Sequence, residues 1–353
     1  MSLKILPKEA IPEWIELLVK EYRLVGPKSL KDQYVFADMH SANELDLGYR
    51  TSILPPKKAL LPQYEDLLTF DTQETAQTHQ DDQPTVILGM HTCDLHAITL
   101  LDRVFTQRFT DQHYMTKREN TTIVSIECLK PCTEHSFCKD MGTWTVPEEF
   151  DLHLTDIGEV YAVDIGSLKG EALLKGFNQM RESTPEDRKL ASRVLSNKWP
   201  HFTYKLETDV TNLPNLLAAN YKSPVWEEVG AKCLACGMCT LVCPTCYCFN
   251  IQDEVEFTLT SGRRFRVWDS CQLDQFATVA GGHDFRNNRA SRQRHRFLRK
   301  YRYQAIEPGL VGCVGCGRCG QTCIADITPV GVLNELVQHK APALQTKREV
   351  VVK

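Results

Sequence analysis

The chain has 353 residues, enough for two or three domains and a sizeable core. Hydrophobic residues make up 42% and charged residues 24%, the usage of an ordinary soluble globular protein. A formal net charge of -4 carries no global basic signature for nucleic acid, and no stretch reaches the ~20 apolar residues of a membrane-spanning helix.

Met1 to Glu21 is charged throughout and lacks an apolar core of signal-peptide length, which points to the cytoplasm. Residues 8–22 carry Ile11, Trp14, Ile15, Leu18 and Val19 at helical spacing, predicting a surface helix with one packed face. Short strands are expected around Tyr22–Val25 and Tyr34–Ala37, then a turn-rich stretch with Pro55 and Pro56. Asp71–Pro84 is polar and reads as an exposed loop. Val86-Ile87-Leu88 leads through Gly89 to Cys93-Asp94 and a helix with Leu95, Ile98, Leu101 and Phe105 inward. Thr121–Ile126 is a second β-branched run, ending at Cys128. Paired in one sheet, the two strands bring Cys93 and Cys128 out at the same edge, where α/β folds build sites. Leu152–Thr155 and Val160–Ile165 predict a hairpin across Gly158. Residues 169–198 read as helical, interrupted at Ser183–Pro185. The expected division is an α+β domain over 1–180, a helical linker over 181–211, a helical-ferredoxin-type domain over 212–340 and a tail over 341–353.

Fifteen cysteines set the chemistry. Disulfides suit small secreted domains and an even count, so the thiols of this chain read as metal ligands. Cys233, Cys236, Cys239 and Cys243 have the spacing C-x2-C-x2-C-x3-C, and Cys313, Cys316, Cys319 and Cys323 repeat it. That spacing suits a cubane 4Fe-4S cluster held by three thiolates of one loop and a fourth from elsewhere. In two-cluster ferredoxins the fourth cysteine of each run ligates the other cluster. The expected sets are therefore Cys233, Cys236, Cys239 with Cys323, and Cys313, Cys316, Cys319 with Cys243. Gly237, Gly315, Gly317 and Gly320 let the backbone wrap closely. Zinc ribbons use isolated C-x2-C pairs, which neither run shows. Roughly seventy residues separate Cys243 from Cys313. A separation that long favours helices flanking each cluster loop over the small ββ ferredoxin.

Seven cysteines remain. Cys93, Cys128, Cys132 and Cys138 form an N-terminal set, read either as a third cubane site or as buried small hydrophobes. Cys246, Cys248 and Cys271 are one thiol short of a cubane site. Three readings stand for this trio: ligands completed by a residue such as His283, redox thiols that accept sulfane sulfur, or core lining. Arg286, Arg289, Arg292, Arg294, Arg296, Arg299, Lys300 and Arg302 form a basic segment without an acid, preceded by Arg263, Arg264 and Arg266. It reads as counter-charge for anionic clusters or as a docking face for another protein of a complex.

Cys233–Phe249, Trp268–Cys271, Gly281–Arg286, Arg292–Lys300 and Cys313–Cys323 together resemble an iron–sulfur subunit family. That family comprises the beta subunits of cytosolic nickel–iron sulfhydrogenases and the iron–sulfur subunit of anaerobic sulfite reductase. The likeness extends to Cys93–Ile98, Leu101–Phe105 and Phe137-Cys138 with Met141-Gly142-Thr143. Pro131-Cys132 and Asp140–Thr143 are closer to the hydrogenase branch. The resemblance implies an electron relay between a flavin subunit that handles NAD(P)H and a catalytic hydrogenase or reductase subunit, with no nucleic acid and no membrane span. Polysulfide reduction through Cys246, Cys248 and Cys271 is the alternative.

Overall fold

The computed structural model describes residues 3–73, 75–147, 149–307 and 309–339. The tail expected over 341–353 lies outside them. A mixed eight-stranded sheet organises the N-terminal half. Its strands are β1 (Leu3–Pro7), β2 (Arg23–Leu30), β3 (Gln33–Met39), β6 (Thr85–His91), β7 (Thr121–Ile126), β8 (Leu152–Asp156), β9 (Val160–Ile165) and β10 (Arg181–Glu182), in the order β10-β1-β9-β8-β7-β6-β2-β3. The central four, β2, β6, β7 and β8, run parallel. Every residue of β6 and β7 is buried, as expected of parallel strands covered on both faces.

Alternation sorts their side chains. Val86, Leu88, Val124 and Ile126 face helix α1 (Ile11–Glu21), which buries Trp14, Ile15 and Leu18 against them. Ile87, Met90 and Ile123 face the opposite way, onto Leu95, Ile98, Leu101 and Phe105 of α2 (Thr92–Thr106) and Tyr114 of α3 (Gln112–Glu119). Strands β6 and β7 both end toward the C-terminal half, so Cys93 and Cys128 emerge side by side as the parallel arrangement requires.

The helical reading of 169–198 holds only at its ends. Helix α4 spans Leu168–Ala172, and the chain has left the helix by Gly176, which sits at φ +80°. The pair β10 then joins the sheet edge beside β1. Helix α5 (Pro185–Asn197) restarts behind a Thr184–Asp187 capping box with proline at its first position.

The second half is helical, built from α6 (Leu213–Ala219), α7 (Val225–Lys232), α8 (Met238–Leu241), α9 (Arg289–Leu298), α10 (Gln304–Ile306), α11 (Arg318–Gln321) and α12 (Pro329–Gln338). A π-helical turn, Arg299–Tyr303, links α9 to α10. Trp226, Val229, Phe297, Tyr301, Leu333 and Leu336 form the core of this half, and Phe137 and Met141 from the N-terminal half complete it.

A second sheet also departs from the sequence expectation. Between the two cysteine runs lies a hairpin, β11 (Phe249–Val255) and β12 (Ser261–Trp268). Strand β12 pairs antiparallel with β4 (Tyr64–Asp71), and β5 (Ala76–Thr78) closes the far edge, inside the stretch expected to be loop. The two halves thus share a second sheet. Its anchor is buried: Arg266 bonds Glu65 at 2.6 Å and Asp111 at 2.6 Å, and Lys117 bonds the other oxygen of Glu65.

A second buried ion network holds the strand end that carries Cys128. Glu127 receives the Lys198 ammonium at 2.7 Å and His153 at 3.2 Å. Burial works to raise its carboxyl, but His153 and Lys198 outweigh that and hold it below the usual range. The stabilisation is therefore present above the unfolded carboxylate pKa of ~4.3 and lost as pH falls through the lower folded value. Lys198→Met leaves a buried carboxylate without its cation. It should cost about 3–5 kcal/mol, read as a lowered denaturant midpoint at unchanged slope.

Candidate metal centres

The two cysteine runs fold into loops of the same shape. Helix α7 ends at Cys233. The chain then takes positive φ at Ala235 (55°) and Gly237 (78°) before α8 delivers Cys239. The second run repeats this at Gly315 (64°) and Gly317 (82°) before α11 delivers Cys319. These left-handed residues curl each loop so that its sulfurs face inward. Ala235 shows that the backbone angle alone tolerates a side chain. At Gly315 and Gly317 close approach is the stricter demand. A Cβ would meet the Cys138 nitrogen at 2.6 Å and the Ser136 nitrogen at 2.7 Å respectively.

The loops enclose two adjoining cavities. One is lined by Cys233, Cys236 and Cys239 of the first run together with Cys323 of the second. The other is lined by Cys313 and Cys319 of the second run together with Cys243 of the first, and Cys239 and Arg296 stand in the wall common to both. Cys316 packs on the N-terminal side, against Cys93, Ala97 and Val314.

Burial opposes charge on these thiols. It pushes Cys239 and Cys313 up to about 11 and Cys316 and Cys319 up to about 12. Cations and donors oppose it: the Arg296 guanidinium at Cys239 and Cys319, Arg318 at Cys316, and the Tyr301 hydroxyl at Cys313. Burial alone would lower Lys300, yet the sulfurs of Cys243, Cys246 and Cys313 hold it well above an ordinary lysine. N–H groups also point at sulfur. The Gln293 amide donates to Cys233 at 3.0 Å, and the backbone of Ala235, Gly315 and Ile327 donates to Cys233, Cys313 and Cys323. Sulfur ligands, a tight backbone cradle and buried positive charge are what an anionic iron–sulfur centre requires.

The basic segment turns inward. Arg292, Arg296 and Lys300 are buried, Arg289 bonds the Cys233 carbonyl at 2.7 Å and Arg302 the Pro214 carbonyl at 2.8 Å. Arg263 and Arg264 are matched across the hairpin by Glu254 and Asp253. Arg296 and Lys300 face the cysteine sulfurs as counter-charge, while the others named bond carbonyls or carboxylates.

The trio forms a chain rather than a closed group, with Cys248 acting on Cys246 on one side and adjoining Cys271 on the other. Cys246 lies beside Cys243, while Cys248 lies beside Cys271. His283 packs edge-on against Phe285 in an exposed turn. The N-terminal set does gather. Cys128, Cys138 and Cys132 pack with Trp144 and Phe202, and Cys93 stands at the start of α2. Sequence reasoning misses His91, whose ring nitrogen lies 3.5 Å from the Cys132 sulfur. It misses Arg318 and Asp94 as well, which form a buried two-pronged pair at 2.7 Å beside Cys93 and Cys316. Arginine directly after a run glycine is the available signal.

Residues 232–327 match the 4Fe-4S dicluster domain, which makes the chain an iron–sulfur protein of the electron-transfer class. Over 332 residues it is 35% identical to the sulfhydrogenase 2 subunit beta of Pyrococcus furiosus, covering 94% of this chain and 97% of that protein. The chain belongs to the family of sulfhydrogenase beta subunits. No solved structure matches it. No described helix is long and apolar enough to cross a membrane.

Gly317→Ala brings a Cβ into the loop that holds Thr133, His135 and Ser136. Gly309 has a similar φ of +85° but open space around it. Gly309→Ala should cost about 1–2 kcal/mol for the left-handed backbone alone. Gly317→Ala should cost distinctly more and lower the iron bound per chain, checked by denaturation and iron analysis of the two variants side by side.

Proposed function

We propose that the chain is a one-electron relay holding two 4Fe-4S clusters, one on Cys233, Cys236, Cys239 and Cys323, the other on Cys313, Cys316, Cys319 and Cys243. The carrying observation is that the first cavity draws its fourth sulfur from the other run. When bound, such clusters supply storage of a single electron at each site. The chain does the rest. Its loops fix the sulfurs, its helices exclude water, and Arg296, set between the cavities, tempers the added negative charge.

In this reading the partners are a flavin subunit that handles NAD(P)H and a nickel–iron catalytic subunit, both in the cytoplasm. The relative's name, a sulfhydrogenase subunit, supports the hydrogenase branch over the sulfite reductase branch. The exposed sulfur edge at Cys236, flanked by exposed Leu234, Met238 and Ile324, suits electron exchange across a subunit contact. The proposed domains remain 1–180, 181–211 and 212–340, joined by the shared second sheet.

The sulfur-reducing alternative would use Cys246, Cys248 and Cys271. Cys271 is 6% exposed, which suits a substrate-binding thiol poorly, and we favour the relay.

Two measurements test the assignment. Cys233→Ser and Cys323→Ser should disturb the same EPR signal of the reduced protein, and Cys243→Ser and Cys313→Ser the other one. Signals that pair instead within each run would refute the crossed arrangement. Lys300→Met removes a buried cation beside Cys243 and Cys313, and should move the potential of that site to a more negative value in a redox titration.

A further inference from the structure

The four N-terminal cysteines lie outside the matched dicluster domain, which begins at residue 232. Their placement is specific. Cys93 opens α2 and Cys128 follows β7, so two come from neighbouring parallel strands at the sheet's C-terminal edge. Cys132 and Cys138 come from the loop beyond, which is tied to the second cysteine run. The Phe137 amide donates to the Gly315 carbonyl at 2.8 Å, Thr143 Oγ1 to the Val314 carbonyl at 2.6 Å, and Ser136 Oγ to the Cys316 carbonyl at 3.2 Å.

The sulfurs of Cys128 and Cys132 and a ring nitrogen of His91 all lie within 4.8 Å of one another. Cys138 packs into the same cluster as Cys128 and Cys132. Cys93 packs on the other flank, against Cys316. Asp94 is no rival ligand, because Arg318 occupies both its oxygens. His91 is stacked flat on Tyr49, with ring centroids 4.3 Å apart. A mononuclear ion on His91, Cys128 and Cys132 would leave the thiols of Cys93 and Cys138 unused on either side.

We propose that Cys93, Cys128, Cys132 and Cys138 hold a third iron–sulfur cubane, adjoining the second through the Cys93–Cys316 contact, with His91 as a hydrogen-bonding neighbour of Cys132. The three sites then form a row. One end is the exposed Cys236 edge. The other is Cys132, which lines an open groove with Arg50, Thr133, His135 and Gln321. Arg318 stands between the second and third sites and serves both, being in reach of Cys316 and Cys93.

This inference rests on the two-cluster reading, and the test separates the two. The full chain, purified without oxygen, should contain about twelve irons and about twelve acid-labile sulfides, four per cubane. Cys128→Ala combined with Cys132→Ala should lower both to about eight, with an unchanged far-ultraviolet dichroism spectrum. The reduced wild type should show EPR lines broadened by coupling to the second site, and that broadening should vanish in the double variant. About eight irons in the wild type, with or without one zinc per chain, would overturn the third site and leave the relay standing. Iron well below eight would sink the two-cluster reading instead. Should the double variant not fold, the wild-type count of iron, sulfide and zinc still decides.

Discussion

Burying anionic sulfur is the constraint on which the rest of the structure depends. A thiolate away from water is costly, and several gathered in one region would repel one another without compensation. The chain answers with fixed cations deep in the protein: Arg296 between the two cavities, Lys300 beside the second, Arg318 at its N-terminal side. Each is itself a burial problem when alone. Arg318 takes Asp94 as a partner, whereas Lys300 faces sulfur and threonine oxygen. Its raised pKa and those of the thiols are two sides of one balance, settled only when metal and sulfur are together.

The N-terminal sheet acts less as a separate module than as the wall of the metal region. Its parallel strands end at the second cysteine loop. The loop from Cys132 to Thr143 is laced onto that run by the Phe137 amide and the Ser136 and Thr143 hydroxyls, all donating to its carbonyls. Phe137 and Met141 enter the helical core. Gly315 and Gly317 are glycine because this wall lies against them, which ties a backbone requirement in one half to a surface made by the other.

Much of this is legible in residue order. Repeated cysteine spacing exposes the two loops, because ligation demands fixed offsets. The buried strands before Cys93 and Cys128 stand out because runs such as Val86-Ile87-Leu88 have no polar face to show. The hairpin at 249–268 escapes because its alternation hides behind charge. Arg263, Arg264 and Arg266 read as a basic stretch, yet two pair across the strands and the third is buried on Glu65. Arg296 and Lys300 read as one run with their neighbours. Only the helical turn, by putting positions four apart on one face, separates inward from outward cations. The helix stops short of Gly176, a local signal that was available, whereas the strand at Arg181–Glu182 exists only through its pairing with β1.

The β4–β12 pairing sets the order in which the molecule can be made. Ser261 sits opposite Asp71, so an edge strand synthesised early waits for a partner produced long afterwards. During that interval its hydrogen-bonding groups are free to find other chains. Closing so distant a contact slows maturation, and iron can be sealed in only once the late segment arrives. Truncation after the first half would leave a sticky border rather than a smaller working protein, so heterologous production should keep the chain whole.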